Sequence, residues 1–235
     1  MNKRLRPTLS VLSAMLLATH LGIAHADTSA TAPAAPAPGL QTLAELDGKA
    51  PVRRNLEIQT WNTSAGSRVL FVEAHELPMF DLRMLFAAGS SQDQAHPGIA
   101  LLTNAMLNEG VAGQNVEAIN QRFEGLGAEF GNGAYKDMAL VSLRSLSEAD
   151  KREPALKLFA EVIGKPTFPA DSLVRIKNQL LASFELQKQN PGKLASNQLF
   201  SRLYGTHPYA HPSDGDARSI GALTQAQLRA FHQRA

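Results

Sequence analysis

The chain of 235 residues is long enough for one large domain or two small ones, and 44% of its residues are hydrophobic, so a sizeable core is possible. It has no cysteine, which excludes disulfides, thiolate metal sites and cysteine nucleophiles. It carries 23 basic and 21 acidic residues, but residues 1–26 hold three of the basic and none of the acidic ones. The rest therefore has 20 basic against 21 acidic residues, a net charge of −1, which gives no support to nucleic-acid binding.

Residues 1–26 have the pattern of a secretory signal peptide. Three basic residues near the start precede an uncharged run, Leu9–Ala24, that is rich in Leu and Ala. The run ends in Ala24-His25-Ala26, the small-x-small pattern that signal peptidase accepts, so we predict cleavage before Asp27. An uncleaved anchor is the alternative, but the run is short for a membrane span of about 20 residues. We expect an exported, soluble, periplasmic protein without a membrane span after signal cleavage.

Residues 27–52 form an Ala/Pro-rich segment, of which Thr31–Gly39 is the most biased part. Such a composition cannot bury enough apolar surface to fold on its own, which is typical of a flexible or polyproline-like linker. The folded domain is therefore expected over residues 53–235.

Beyond the linker, the hydrophobic period alternates between two, which is typical of strands, and three to four, which is typical of helices. The predicted strands are Glu57–Trp61, Arg68–Val72, Met79–Phe86, Glu129–Ala134 and Met138–Leu146, the last two forming a hairpin. The predicted helices are Pro97–Asn108, a helix from the Asn115 cap to the Gly125-Leu126-Gly127 break, Pro154–Ile163, Asp171–Gln189, Lys193–Tyr204 and one that begins at Thr224. This order predicts an α+β fold, a mostly antiparallel sheet with helices packed on it.

Apolar residues at these periods are expected to face the core. On the strand Met79–Phe86 the expected core residues are Phe80, Leu82, Met84 and Phe86. On the helix Lys193–Tyr204 they are Leu199 and Leu203.

The last predicted helix has strong start signals. Thr224 and Gln227 form a capping box, and Leu223 and Leu228 form a hydrophobic staple. The helix is still running at Ala235, so we expect a domain truncated at its C-terminus. A sheet that lacks its last strand would expose an unpaired edge.

A series of loop and helix-end sequences occurs in order over residues 55–235. They are Leu77-Pro78, Phe86-Ala87-Ala88-Gly89-Ser90-Ser91-Gln92-Asp93, His96-Pro97-Gly98-Ile99-Ala100, Met106-Leu107-Asn108-Glu109-Gly110, Leu126-Gly127-Ala128, Pro166-Thr167-Phe168, Tyr204-Gly205-Thr206-His207-Pro208-Tyr209 with Gly215, and Leu228-Arg229-Ala230-Phe231-His232. The series resembles the N-terminal domain of the pitrilysin/insulinase family of zinc metallopeptidases, the inverzincins. The resemblance implies a half-domain of the pitrilysin and mitochondrial processing peptidase type.

Active members of that family bind zinc through H-x-x-E-H on the helix after the Gly-x-Ala turn, with a distant glutamate as the third ligand. The resemblance places the first histidine at Leu101, the glutamate that polarises water at Asn104, the second histidine at Ala105 and the distant glutamate at Ser183. Leu101 and Ala105 have no lone pair to offer a metal, and the neutral amide of Asn104 cannot act as a base. The resemblance therefore implies no catalytic residue, metal or cofactor in this chain.

Other histidine pairs offer no better metal site. His75-Glu76 begins like H-E-x-x-H, but Pro78 breaks any helix there. His207 and His211 are spaced as neighbours on a helix face, but a proline follows each of them, which favours a surface turn.

The remaining polar residues of note are expected to be structural. His96 is expected in a loop, His232 on a solvated helix face, and Asp216 and Arg218 in a solvated turn. The sequence holds neither a Gly-x-Ser-x-Gly elbow nor a phosphate-binding glycine loop followed by Lys-Ser or Lys-Thr. Nucleophilic catalysis and nucleotide binding therefore have no support.

In heterodimeric members of the family, one subunit carries zinc and the other completes the chamber and helps to hold the substrate. The resemblance implies an exported, non-catalytic subunit of this second kind, which binds peptide substrate. Its partner would be an active zinc-peptidase subunit that carries H-x-x-E-H and holds the zinc. Two alternatives remain open: a scaffold or binding protein of this fold without a proteolytic partner, and a peptidase with unusual ligands.

Overall fold

The computed structural model describes residues 56–235. The signal peptide predicted over residues 1–26 and the linker predicted over residues 27–52 lie outside the described residues. From Gln59 to Ala235 the chain forms one compact unit.

The main sheet has three antiparallel strands in the order β3-β7-β6. The strands of the chain are β1 (Ile58–Asn62), β2 (Arg68–Val72), β3 (Met79–Phe86), β4 (Gly110–Val111), β5 (Gln114–Asn115), β6 (Glu129–Ala134) and β7 (Ala139–Leu146). The central strand β7 pairs Leu146 with Met79 of β3 and Arg144 with Glu129 of β6. The pairs β1-β2 and β4-β5 form separate two-stranded sheets.

Seven α-helices belong to the described part of the chain. They are α1 (Ile99–Ala105), α2 (Val116–Gly125), α3 (Ala149–Gly164), α4 (Ala170–Gln187), α5 (Pro191–Tyr204), α6 (Ala217–Ala222) and α7 (Gln225–Arg234). The predicted cap of α2 is confirmed, because the Asn115 side chain accepts the Ala118 N–H at 3.1 Å. The predicted capping box of α7 is confirmed as well, with Thr224 and Gln227 bonded reciprocally.

The core consists of two groups of buried side chains on the helix-covered face of the main sheet. Along β7 every second residue is buried, namely Ala139, Val141, Leu143 and Ser145. Helix α3 covers this strand with Leu158 and other apolar residues. The second group surrounds α1 and includes residues of α4, α6 and α7. This packing fixes α1 beside the edge strand β6.

Helix α5 begins two residues before the predicted Lys193, and two other helix starts differ from the prediction for a physical reason. The helix expected from Pro97 begins only at Ile99, because Gly98 has a φ of +88° and passes close to the backbone of another loop. A Cβ at Gly98 would lie 2.9 Å from Asp214 O. The helix expected from Pro154 begins at Ala149, and it tolerates Pro154 in its second turn at the loss of one backbone hydrogen bond.

Two apolar stripes are less buried than predicted. Met84 is exposed on the edge strand β3, whereas Phe80, Leu82 and Phe86 pack against the core. On α5 no residue is buried, and Leu203 keeps 68% of its surface accessible. The apolar pattern of α5 therefore does not mark a face covered by residues 56–235.

No helix in that range is long and apolar enough to cross a membrane.

Candidate functional site

Helix α1 carries three of the four positions at which the family resemblance places zinc chemistry. Leu101 and Ala105 lie one turn apart on the half-buried side of the helix, while Leu102 and Thr103 face the core. A hydrocarbon side chain has no lone pair, so neither Leu101 nor Ala105 can bind a metal. The helix thus presents these two positions on one face, without side chains that can bind a metal.

Asn104, at the position of the family's general base, is buried and serves to attach α1 to the sheet. Its side-chain amide donates to Leu140 O of β7 at 3.5 Å. Its backbone carbonyl accepts from the Asn132 side chain of β6 at 2.7 Å. Both groups therefore act in holding the helix against the edge of the sheet.

Ser183, the fourth position, lies half-buried on α4, which packs against α1. Its hydroxyl accepts from the Gln187 side chain at 3.4 Å, and the same amide donates to Asp214 at 3.1 Å. The four residues do not fit a zinc ion, because none is a histidine, a carboxylate or a thiolate. Within residues 56–235 there is also no cluster of three or more His, Asp and Glu side chains that could hold a metal.

A cleft of about 320 Å³ opens directly beside Leu101. Its walls come from α1, α5, the end of β6 and the segment that follows Tyr209. The lining residues are Leu101, Ala134, Lys136, Lys193, Ser196, Asn197, Phe200, Ala210, His211, Pro212, Ser213 and Asp214. We call this the α1–α5 cleft.

Two lysines give the α1–α5 cleft its charge. Lys136 Nζ donates to His211 O at 2.7 Å and to Tyr209 O at 3.3 Å. Burial lowers the pKa of Lys136, although the nearby carboxylates of Asp93 and Asp214 oppose this effect. Lys193 Nζ lies 3.6 Å from the Asp214 carboxylate, which makes a loose ion pair.

Asp93 lies beneath the cleft and holds the start of α1. Its carboxylate accepts the Gly98 N–H at 2.7 Å and the Ala100 N–H at 3.0 Å. Only 1% of the residue is accessible. Burial raises the pKa of Asp93 to about 6, even though both backbone hydrogen bonds and the charges of His211 and Lys136 favour the ionised form.

The raised pKa of Asp93 predicts a pH-dependent stability. The folded state binds the Asp93 proton more tightly than the unfolded state, so this contribution is present below pH 3.8 and is lost as the pH rises to about 6. We expect the free energy of unfolding of the wild type, minus that of Asp93→Asn, to fall by on the order of 2–3 kcal/mol between pH 4 and 7.5.

Urea denaturation across this pH range measures the difference. Titrating groups that do not interact with Asp93 cancel in it, whereas the interaction of Asp93 with His211 and Lys136 remains part of the measured difference. Parallel stability profiles of the two proteins would show that Asp93 has no raised pKa.

The Tyr204–Tyr209 segment packs its aromatic rings against the hairpin turn. The Tyr209 hydroxyl donates to the Asp137 carboxylate at 2.6 Å, which raises the pKa of Tyr209. Its ring makes an edge contact with His207, whose Nδ1 accepts the Tyr209 N–H at 3.2 Å. His207 therefore lies in a turn with a structural role, as predicted.

The other predicted positions are scattered rather than joined in a site. His75 is exposed and bonds Glu73 at 2.8 Å, and His96 lies in a loop. The prediction of a solvated His232 is wrong, because its Nε2 donates to Ile163 O at 2.7 Å and its ring packs against Phe168.

The turn expected around Asp216 and Arg218 is instead the start of α6, where Asp216 and Ser219 form a capping box. The α1–α5 cleft was not predicted. Its charged residues, Lys136, Lys193 and Asp214, come from three separate segments, so no local pattern signals it.

The antiparallel sheet, its helical cover and the position of α1 at the sheet edge define an α+β half-domain of the metallopeptidase type. The family model described as insulinase (peptidase family M16) matches residues 68–216. The chain belongs to this family. A crystal structure of a peptidase M16 inactive domain from Pseudomonas fluorescens is 77% identical in sequence, with a TM-score of 0.74. The match covers 75% of this chain and 43% of that one.

More distant relatives match this chain in sequence or in structure. The non-peptidase homolog YmxG of Helicobacter pylori is 26% identical over 162 residues, which cover 68% of this chain and 37% of YmxG. The periplasmic protease PqqL of Escherichia coli is 18% identical with a TM-score of 0.66, over 79% of this chain and 21% of PqqL. The chain thus spans less than half the length of these relatives.

Proposed function

We propose that the chain is a non-catalytic member of the M16 family that binds peptides as one subunit of an exported heterodimeric zinc metallopeptidase. The observation that carries this proposal is the side-chain set Leu101, Asn104, Ala105 and Ser183 on an otherwise family-like α1 and α4. Relatives named as a non-peptidase homolog and an inactive domain support it. The zinc would reside in the partner subunit.

Peptide binding is supported by the outer edge of β6. Within residues 56–235, β6 pairs only with β7, so its other edge has no strand partner. That edge lies beside α1, where active family members hold their zinc. A strand edge with unpaired backbone groups is a template for an extended peptide, and backbone hydrogen bonds supply affinity with little dependence on sequence.

The register of the hairpin identifies the backbone groups involved. Tyr135 N–H donates to Met138 O at 2.8 Å, and hydrogen-bonded pairs alternate along an antiparallel ladder. The N–H and C=O groups of Phe130, Asn132 and Ala134 therefore point away from β7. No backbone group among residues 56–235 bonds to them across that edge.

Strand addition at β6 predicts that binding depends on alternate amides of the peptide. A fluorescein-labelled peptide of alternating Thr and Val, about ten residues long, can pair along all of β6. We expect N-methylation of every second amide, those that face β6, to weaken binding of the peptide by about tenfold or more. The reason is that each lost backbone hydrogen bond costs about 0.5–1.5 kcal/mol. Methylation of the alternate amides, those that face away from β6, should have little effect.

Fluorescence anisotropy measures both affinities, and the two methylated peptides are matched controls for each other. Equal weakening by both methylation patterns, or tight binding of both, would contradict strand addition.

The exposed apolar residues of α5 also suit association with a second protein. This is consistent with a peptidase partner and with the alternative, a scaffold of this fold that has no proteolytic partner.

A further inference from the structure

The α1–α5 cleft carries an excess of positive charge in the place where the family's zinc chemistry is missing. We propose that this cleft binds a carboxylate of the peptide, either its C-terminal carboxylate or an Asp or Glu side chain. The inference rests on the proposed peptide binding and adds a substrate class to it, namely peptides that present a carboxylate at the end of β6.

The first support is the balance of charge on the walls. Lys136 and Lys193 contribute two ammonium groups, whereas Asp214 contributes the one carboxylate that lines the cleft. The Nδ1–H of His211 donates to Pro212 O at 3.0 Å, so this donor is not free for a ligand. Among the residues that line the cleft, the ammonium groups therefore outnumber the carboxylates by one. Asp93 and Asp137 also act on Lys136, but Asp93 already accepts the Gly98 and Ala100 N–H groups and Asp137 accepts from the Tyr209 hydroxyl. An incoming carboxylate adds a partner for the two ammonium groups that line the cleft.

The second support is that both ammonium groups retain donors. A lysine ammonium has three N–H donors, and Lys136 uses two of them on the carbonyls of His211 and Tyr209. Lys193 lies 3.6 Å from the Asp214 carboxylate, beyond hydrogen-bond distance. A carboxylate in the cleft can accept from both, and charge-assisted hydrogen bonds of this kind are stronger than neutral ones.

Partial burial of Lys136 strengthens its attraction for an incoming carboxylate. Lys136 is partly buried, and the loss of water lowers its pKa. Leu101, Ala134 and Phe200 add apolar surface to the cleft, which reduces screening by water. A volume of about 320 Å³ is at the small end of ligand pockets, which span about 300–1,000 Å³.

The cleft also continues the edge on which the peptide is proposed to lie. Ala134 is the last residue of β6 and lines the cleft, and Lys136 follows it in the hairpin turn. A peptide paired along β6 therefore reaches the cleft with one end.

The test compares three versions of the labelled Thr/Val peptide on the full-length protein by fluorescence anisotropy. One has a free C-terminal carboxylate, one a C-terminal amide, and one a C-terminal amide with a Glu as its last residue. We expect the amide without Glu to bind about tenfold more weakly than at least one carboxylate peptide. Which carboxylate peptide binds more tightly distinguishes a terminal from a side-chain carboxylate.

Lys193→Gln is the informative variant, because 37% of the Lys193 side chain is accessible and its ion pair is loose. We expect it to lose most of the carboxylate preference. The control is Lys188→Gln, which removes an exposed lysine outside the cleft and should keep the preference. Equal binding of all three peptides would overturn the carboxylate site and leave peptide binding intact. Failure of every peptide to bind would overturn both.

Discussion

Gly89→Ala is expected to destabilise the domain by about 3 kcal/mol or more, at the upper end of the cost of overpacking. A Cβ at Gly89 would lie 2.4 Å from Lys136 O and 2.4 Å from Met138 N. Both are backbone atoms of the hairpin turn, so they cannot yield as the end of a side chain can. Ser90 N–H donates to Tyr135 O at 2.8 Å, and the substitution would disturb this bond too.

Urea denaturation at neutral pH measures this loss. The matched control is Gly221→Ala on α6, where a Cβ would meet no atom within 4 Å. That variant should be unchanged or up to about 1 kcal/mol more stable, because alanine is the better helix former. A loss below about 1 kcal/mol for Gly89→Ala would contradict the close approach of the loop to the hairpin turn.

The second large effect is expected from rebuilding the metal site. The variant Leu101→His, Asn104→Glu, Ala105→His, Ser183→Glu places two imidazoles one helical turn apart on α1 and a carboxylate on the neighbouring α4. Three protein ligands with an open fourth position are the usual set of a catalytic zinc site. We expect this variant to bind Zn²⁺, while the wild type does not bind it at this position.

The control keeps the two histidines and the Asn104→Glu change but retains Ser183. Competition with a chromophoric chelator should show at least about tenfold tighter zinc binding when Ser183→Glu is added, because a third ligand completes the site. Equal affinity of the two variants would show that Ser183 does not occupy the position of the third ligand.

Local patterns predicted the strands well. The bounds of β2, β3 and β6 agree with the prediction to the residue, because alternating apolar residues between turn-forming segments specify a strand locally. Helix α1 begins two residues later than predicted because Gly98 adopts its positive φ in contact with a distant loop. Helix α6 was missed because its six residues span too few turns for a repeating hydrophobic pattern to be recognised.

Burial was harder to predict than secondary structure. The period of Leu199 and Leu203 predicts a helix, and a helix forms, but the pattern does not say whether residues 56–235 cover that face. The positions of the family's zinc chemistry could be located from the resemblance alone. The α1–α5 cleft could not, because Lys136, Lys193 and Asp214 meet only after β6, α5 and the following loop have packed together.

The most direct test of the central claim is chelator-sensitive hydrolysis of a quenched fluorescent peptide. The full-length protein purified alone is compared with the proposed complex, namely the proteins that a tag on this chain recovers from a periplasmic extract. We expect the protein alone to bind the peptide without cleaving it, even with added zinc, and the complex to cleave it until the zinc is removed. Inactivity of both samples would favour the scaffold alternative. Hydrolysis by the purified protein alone that stops on chelation would contradict the claim that this chain is non-catalytic.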